Sequence, residues 1–124
     1  MDQTTLHAFG DELYGALRAR TTVQPLTERA PDLTIDDAYH VSLRMVSRRL
    51  DDGERLIGKK IGVTSAAVQN MLGVHQPDFG YLTDRMVYES GGEMPISTQL
   101  IQPRAEGEIA FLPRSRLEGP GVTG

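Results

Sequence analysis

Leu6, Phe9, Leu13 and Leu17 recur at steps of three and four, the spacing of one face of an α-helix, and predict an amphipathic helix over residues 5–19 with Thr4 or Thr5 capping its first turn. Gly10 and Gly15 interrupt that helix. Each lowers its intrinsic stability by roughly 1 kcal/mol relative to alanine, so it must draw on packing against the rest of the fold. Residues 21–33 hold Pro25 and Pro31 and keep no period, which predicts an extended connection. The helical period returns with Ile35, Tyr39, Ser42, Val46 and Leu50 on one stripe, widened by Ala38, Val41 and Met45. Thr34 stands as N-cap, Asp36 and Asp37 fill the first turn, and Arg48 and Arg49 close the helix before Gly53, all favourable to the helix dipole. His7 reads as a surface residue and His40 as structure.

From Arg55 the period changes to two, which predicts a strand. Leu56, Gly58, Lys60 and Gly62 share one face; Ile57, Lys59, Ile61 and Val63 share the other. Lys60 therefore stands between two glycines that leave space around its amine, either towards a pocket or, as most lysines do, towards solvent. Thr64 or Ser65 caps a short helix, Ala66 to Leu72, that ends at Gly73. His75 to Gly80 carries Pro77, Asp78 and Gly80, turn chemistry that also suits a loop lining a site. Asp78 is a turn former or a site carboxylate. Residues 81–83 and 86–88 read as short strands, and Ser90, Gly91 and Gly92 as a turn before residues 94–96.

Residues 102–111 alternate again. Arg104, Glu106 and Glu108 take one face of this predicted strand, and Ala105, Gly107, Ile109 and Phe111 the other. Two carboxylates roughly 6–7 Å apart repel one another, a cost that a hard divalent cation between them relieves, Mg²⁺ or Mn²⁺ being suited to oxygen donors. The plain alternative is a solvent face on which Arg104 pairs with Glu106. After Leu112, residues 113–121 are dense in turn formers. A central strand followed so soon by a loop leaves little sheet to protect it, and the chain reads as cut short.

At 124 residues and 39% apolar, the chain has one domain's length and enough apolar side chains for a single core. Its net charge of −4, with basic residues scattered, argues against a nucleic-acid surface and against an anionic membrane. No run approaches a membrane span, and Met-Asp-Gln-Thr-Thr lacks the basic and apolar regions of a signal peptide. A cytoplasmic location is expected. Without cysteine, disulfides, thiolate metal sites and thiol nucleophiles are excluded, leaving carboxylate, imidazole, hydroxyl and amine chemistry.

Three blocks carry a resemblance: Ile-Gly-Lys-Lys-Ile-Gly-Val-Thr-Ser at 57–65, Gly-Val-His-Gln-Pro-Asp-Phe-Gly-Tyr-Leu at 73–82, and Gln-Pro-Arg-Ala-Glu-Gly-Glu-Ile-Ala-Phe at 102–111. In order and spacing they resemble the dienoate hydratases of the fumarylacetoacetate hydrolase superfamily. The resemblance implies an α+β fold. N-terminal helices, residues 1–53, precede residues 54–124, an incomplete part of a mixed β-roll. It implies Glu106 and Glu108 as metal ligands for Mg²⁺ or Mn²⁺, with Lys60 and Asp78 facing the active site as catalytic groups and Phe79 and Tyr81 as pocket walls or core. Members run to about twice this length, and a third carboxylate ligand falls beyond residue 124. The implied reaction is hydration of 2-hydroxypenta-2,4-dienoate to 4-hydroxy-2-oxopentanoate in the meta-cleavage breakdown of aromatic compounds. Partners expected on this resemblance are the small dienoate substrate, further copies of the chain in a homo-oligomer and a related decarboxylase. Two other readings stand beside it: 4-oxalocrotonate decarboxylase of the same superfamily, and a non-catalytic fragment or assembly partner.

Overall fold

The computed structural model describes residues 1–121. Its first layer is a pair of packed helices, α1 (Gln3–Ala19) and α3 (Ile35–Asp51), connected through the single turn α2 (Leu26–Arg29). Asp2, rather than Thr4 or Thr5, caps α1 through its carboxylate, which accepts from the Thr5 amide at 2.9 Å, so the helix starts two residues before the expected residue 5. Thr34 caps α3 as expected and forms a full capping box with Asp37. α1 ends on Arg20 in the left-handed conformation, φ 56°, which costs a non-glycine residue about 1 kcal/mol.

Leu6, Gly10 and Tyr14 of α1 meet Asp37 and Val41 of α3. Gly10 is where the helices come nearest: a Cβ there would lie 2.6 Å from the Arg44 side chain and 2.8 Å from the Val41 carbonyl. Its weakness as a helix former is exchanged for a close approach that no larger residue allows. Asp11 accepts two hydrogen bonds from Arg44 at 2.9 Å and Glu12 two from Arg29 at 2.6 and 2.8 Å, flanking the apolar seam with paired charges. The stripe read from the sequence is offset from this contact. Val41 is central to it, whereas Ile35 and Leu50 are exposed.

The second layer is an antiparallel pair, β1 (Leu56–Gly62) and β2 (Asp78–Thr83), joined through α4 (Ala66–Leu72). α4 is capped by Ser65 and ends on Gly73 at φ 68°. The register sets Lys59 opposite Tyr81, Lys60 opposite Gly80, Ile61 opposite Phe79 and Gly62 opposite Asp78. Ile57 is an extra residue, because Leu56 pairs with Thr83 but Gly58 with Leu82. This bulge breaks the expected period at one point: Leu56 does not share the face of Gly58, Lys60 and Gly62.

Two expected strands are absent from the described residues. Residues 84–86 form a 3₁₀ turn rather than leading to a strand at 86–88, and Ile96–Gln99 is a single helical turn, α5. Residues 102–111 have alternation but no ladder, and lie exposed. A strand exists through its neighbour's hydrogen bonds, and the described residues offer these residues no neighbour. Val122 to Gly124, the end of the expected terminal loop, lie outside the described residues.

Helices and hairpin are tied together at Glu54. Its fully buried carboxylate accepts from the Thr83 hydroxyl at 2.5 Å, from Arg18 at 2.8 Å and from Arg49 at 2.9 Å. One side chain thereby joins α1, α3 and the end of β2.

Candidate functional site

Strand period and cross-strand register bring Lys60 and Asp78 to one face of the hairpin. The Lys60 side chain lies across Gly80, where a Cβ would come within 3.0 Å of its Cγ. Its tip ends over Gly62, the partner of Asp78. A Cβ on Gly62 would sit 2.3 Å from Asp78 Oδ1 and 2.8 Å from Lys60 Nζ, so the amine and the carboxylate approach within about 5 Å without closing an ion pair. Lys59 points the other way, its Nζ 5.9 Å from the centre of the Tyr81 ring. An amine and a carboxylate held this near, over a residue with no side chain, can share or pass a proton through a bound group between them.

Phe79 and Tyr81 fall on the face opposite Lys60, since neighbours along a strand alternate. Phe79 nonetheless joins Asp78 in lining a cleft of about 340 Å³ between the loop before β2 and the start of α3, with Ile35, Tyr39 and Ser42 on the helical side. Tyr39 accepts a hydrogen bond from the Phe79 amide at 3.3 Å and so holds the first residues of β2 against α3. Ile35, the exposed start of the α3 stripe, thus belongs to this cleft, and Leu50 does not. Tyr39 at helical spacing reads as core, and its sequence neighbours give no sign of the strand it meets. Val63, at φ 56°, closes β1 in a conformation that a β-branched residue rarely adopts. Its carbonyl accepts from the Gln69 side chain at 2.9 Å, which fixes the turn beside Gly62.

Glu106 and Glu108 lie in the exposed run 102–110 and enter no ion pair among the described residues. As hard oxygen donors they suit Mg²⁺ or Mn²⁺. No group of three or more histidine, aspartate or glutamate side chains placed to hold a metal occurs among the described residues. The structure does not bring them into the sheet that holds Lys60 and Asp78.

The Glu54 cluster went unread in the sequence, where Gly-Glu-Arg looks like an exposed turn. Burial pushes the Glu54 carboxyl up, but hydrogen bonds from Thr83, Arg18 and Arg49 outweigh it and hold the group below its ordinary value. Tyr14 and Glu54, accepting from Arg18, raise that guanidinium's already high value further. No helix among the described residues is long and apolar enough to cross a membrane.

No protein-family model matches the chain. It is 69% identical over 123 residues to the 2-hydroxypent-2,4-dienoate hydratase of Pseudomonas putida, covering 99% of this chain and 55% of that protein. It is 56% identical to the 2-hydroxyhexa-2,4-dienoate hydratase of Comamonas testosteroni, over 98% of this chain and 47% of the relative. Among solved structures it resembles 4-oxalocrotonate decarboxylase from Pseudomonas putida G7, complexed with magnesium and adipate, at a TM-score of 0.66 and 27% identity, over 68% of this chain and 32% of that one. The helices and small antiparallel sheet are thus a partial fold of the fumarylacetoacetate hydrolase type. Over nearly its whole length the chain is closely homologous to 2-hydroxypenta-2,4-dienoate hydratase of that superfamily. It spans about half the length of the curated relatives it matches.

Proposed function

We propose that the whole protein carrying this chain hydrates 2-hydroxypenta-2,4-dienoate to 4-hydroxy-2-oxopentanoate, with Mg²⁺ or Mn²⁺ held in part by Glu106 and Glu108. The observation that carries the reading is the approach of Lys60 and Asp78 over Gly62 in a chain 69% identical to a hydratase of this substrate. A divalent cation would supply Lewis-acid stabilisation of charge on the substrate's 2-oxygen. Lys60 holds the substrate carboxylate or a proton in transit. Asp78 takes the proton of the 2-hydroxyl as the dienol becomes a conjugated ketone protonated at C5. Water then adds its oxygen to C4, and its proton goes to C3. Phe79 walls the cleft beside Asp78, and Tyr81 supports the strand from the opposite face. The protein works in the cytoplasm as a homo-oligomer, in association with a related decarboxylase.

Paired substitutions in the whole protein test this site. Lys60→Met should lower turnover roughly a hundredfold or more, the scale for losing a placed acid–base group, while Lys59→Met on the other face costs little. Glu106→Gln and Glu108→Gln should each abolish Mg²⁺-dependent turnover with the fold intact. Equal, small effects of the two lysine changes would remove Lys60 from the mechanism, and near-normal turnover in both glutamate variants would remove the metal site. The resemblance to a decarboxylase fold supports a second reading. Release of CO₂ from 2-oxohex-3-enedioate without hydration of the dienoate would decide for it.

A further inference from the structure

At the other end of the hairpin, where β1 begins and β2 ends, a cleft of about 700 Å³ opens between α1, the end of α3 and residues 85–100. The length of the strands sets it roughly 20 Å from the Lys60 and Asp78 groups. Four arginines line it, Arg18, Arg20, Arg49 and Arg85, with Glu54 as the one lining carboxylate. Glu54 is already committed to Arg18 and Arg49, and Arg18 also holds Asp52. Arg20 donates to the Ser97 carbonyl, and Arg85 makes only a 3.4 Å contact to the Asp52 carbonyl. Neither has a carboxylate partner among the described residues.

Two guanidinium groups lining a concave space without a carboxylate partner make a planar oxyanion the natural complement, because their forked donors match carboxylate geometry. Arg20 keeps this place although its backbone sits in the left-handed region, where glycine or asparagine is the ordinary occupant. That conformation is the C-cap of α1, in which the Arg20 amide donates back to the Ala16 and Leu17 carbonyls. The rest of the wall mixes polar Tyr88, Thr98 and Gln99 with an apolar surface that includes Leu17, Met86, Met94 and Leu100. A bare inorganic anion would leave that surface unused. We infer that this cleft is a second ligand site, separate from the hydration site, for a small organic anion. Arg20 and Arg85 take its carboxylate, and its apolar body lies on Met86, Met94 and Leu17.

Calorimetric titration of the whole protein at low ionic strength tests the assignment, with benzoate as the organic probe and inorganic phosphate as the charge-only probe. Saturable benzoate binding is expected, at least tenfold tighter than phosphate and unchanged by Lys60→Met. The double variant Arg20→Gln, Arg85→Gln should weaken it at least tenfold while keeping the wild-type circular dichroism. If that variant does not fold, Arg85→Gln alone, which gives up only one long contact, should weaken binding at least threefold. Three results would overturn the site: no saturable benzoate binding, binding that Lys60→Met removes and the arginine variants leave intact, or phosphate binding as tightly as benzoate.

Discussion

Glycine at 62 and glycine at 58 look alike in the sequence and differ in what surrounds them. A Cβ at 62 meets Asp78 Oδ1 and Lys60 Nζ, while at 58 the nearest atom is Leu82 Cδ1 at 3.7 Å, an ordinary contact. Gly62→Ala should therefore push the amine and carboxylate apart and lower turnover at least tenfold, and Gly58→Ala should leave it within about twofold. Steady-state kinetics on the two variants check this, and parity between them would count against a site above Gly62. Asp37 gives a second prediction at this scale. The Thr34 hydroxyl, the Thr34 amide and the amino terminus hold its carboxyl at about 2, below the ordinary 3.8. With the folded value depressed, its stabilisation is complete above the ordinary value and is lost as pH falls from there through about 2. Thr34→Ala removes the largest of these causes and the helix cap, so it should cost about 1 kcal/mol at neutral pH and move the onset of acid unfolding to higher pH. Ellipticity followed down an acid titration would show the shift, and superimposable curves would deny it.

Among the elements, those with local signals were readable in advance. The capping box of α3, the Ser65 cap of α4 and its Gly73 stop are set by residues three or four apart, and the opposed faces of Lys59 and Lys60 follow from strand period alone. What depended on distant partners was not readable. The broad apolar stripe of α3 could have met α1 on either flank, and only the close approach at Gly10 selects Val41 over Ile35 and Leu50. The alternation at 102–111 carries the facing of a strand but not its neighbour. Nothing near Glu54 announces Thr83, which lies 29 residues away. That cluster should dominate how the elements hold together. Glu54→Gln leaves two arginines facing a neutral amide and should destabilise by about 3 kcal/mol, whereas Thr83→Val, losing one hydroxyl donor, should cost about 1 kcal/mol. Urea unfolding of both single variants and the double variant should show non-additivity, because the residues share one network. Simple additivity would mean the cluster is not one unit.

The molecule as a whole leaves much apolar surface open. Ile61 and Phe79 on the hairpin are 53% and 55% exposed, and Ile109 and Phe111 are each 85% exposed. A two-stranded sheet with an open apolar face is marginal by itself. The 124-residue chain alone should therefore aggregate without a defined size in size-exclusion chromatography and enhance the fluorescence of a hydrophobic dye, whereas the whole protein should elute as one defined species and leave the dye dark. A monodisperse, dye-silent chain would show that these side chains need no cover. Between its two layers, the link at Glu54 has a mechanical consequence. Where an apolar seam can slide and give up contact by degrees, a joint pinned by one dry carboxylate is stiff until water reaches it and then lets go in a single step. Helices and hairpin should move as one body under small loads and part abruptly under larger ones, a brittle joint in an otherwise yielding chain.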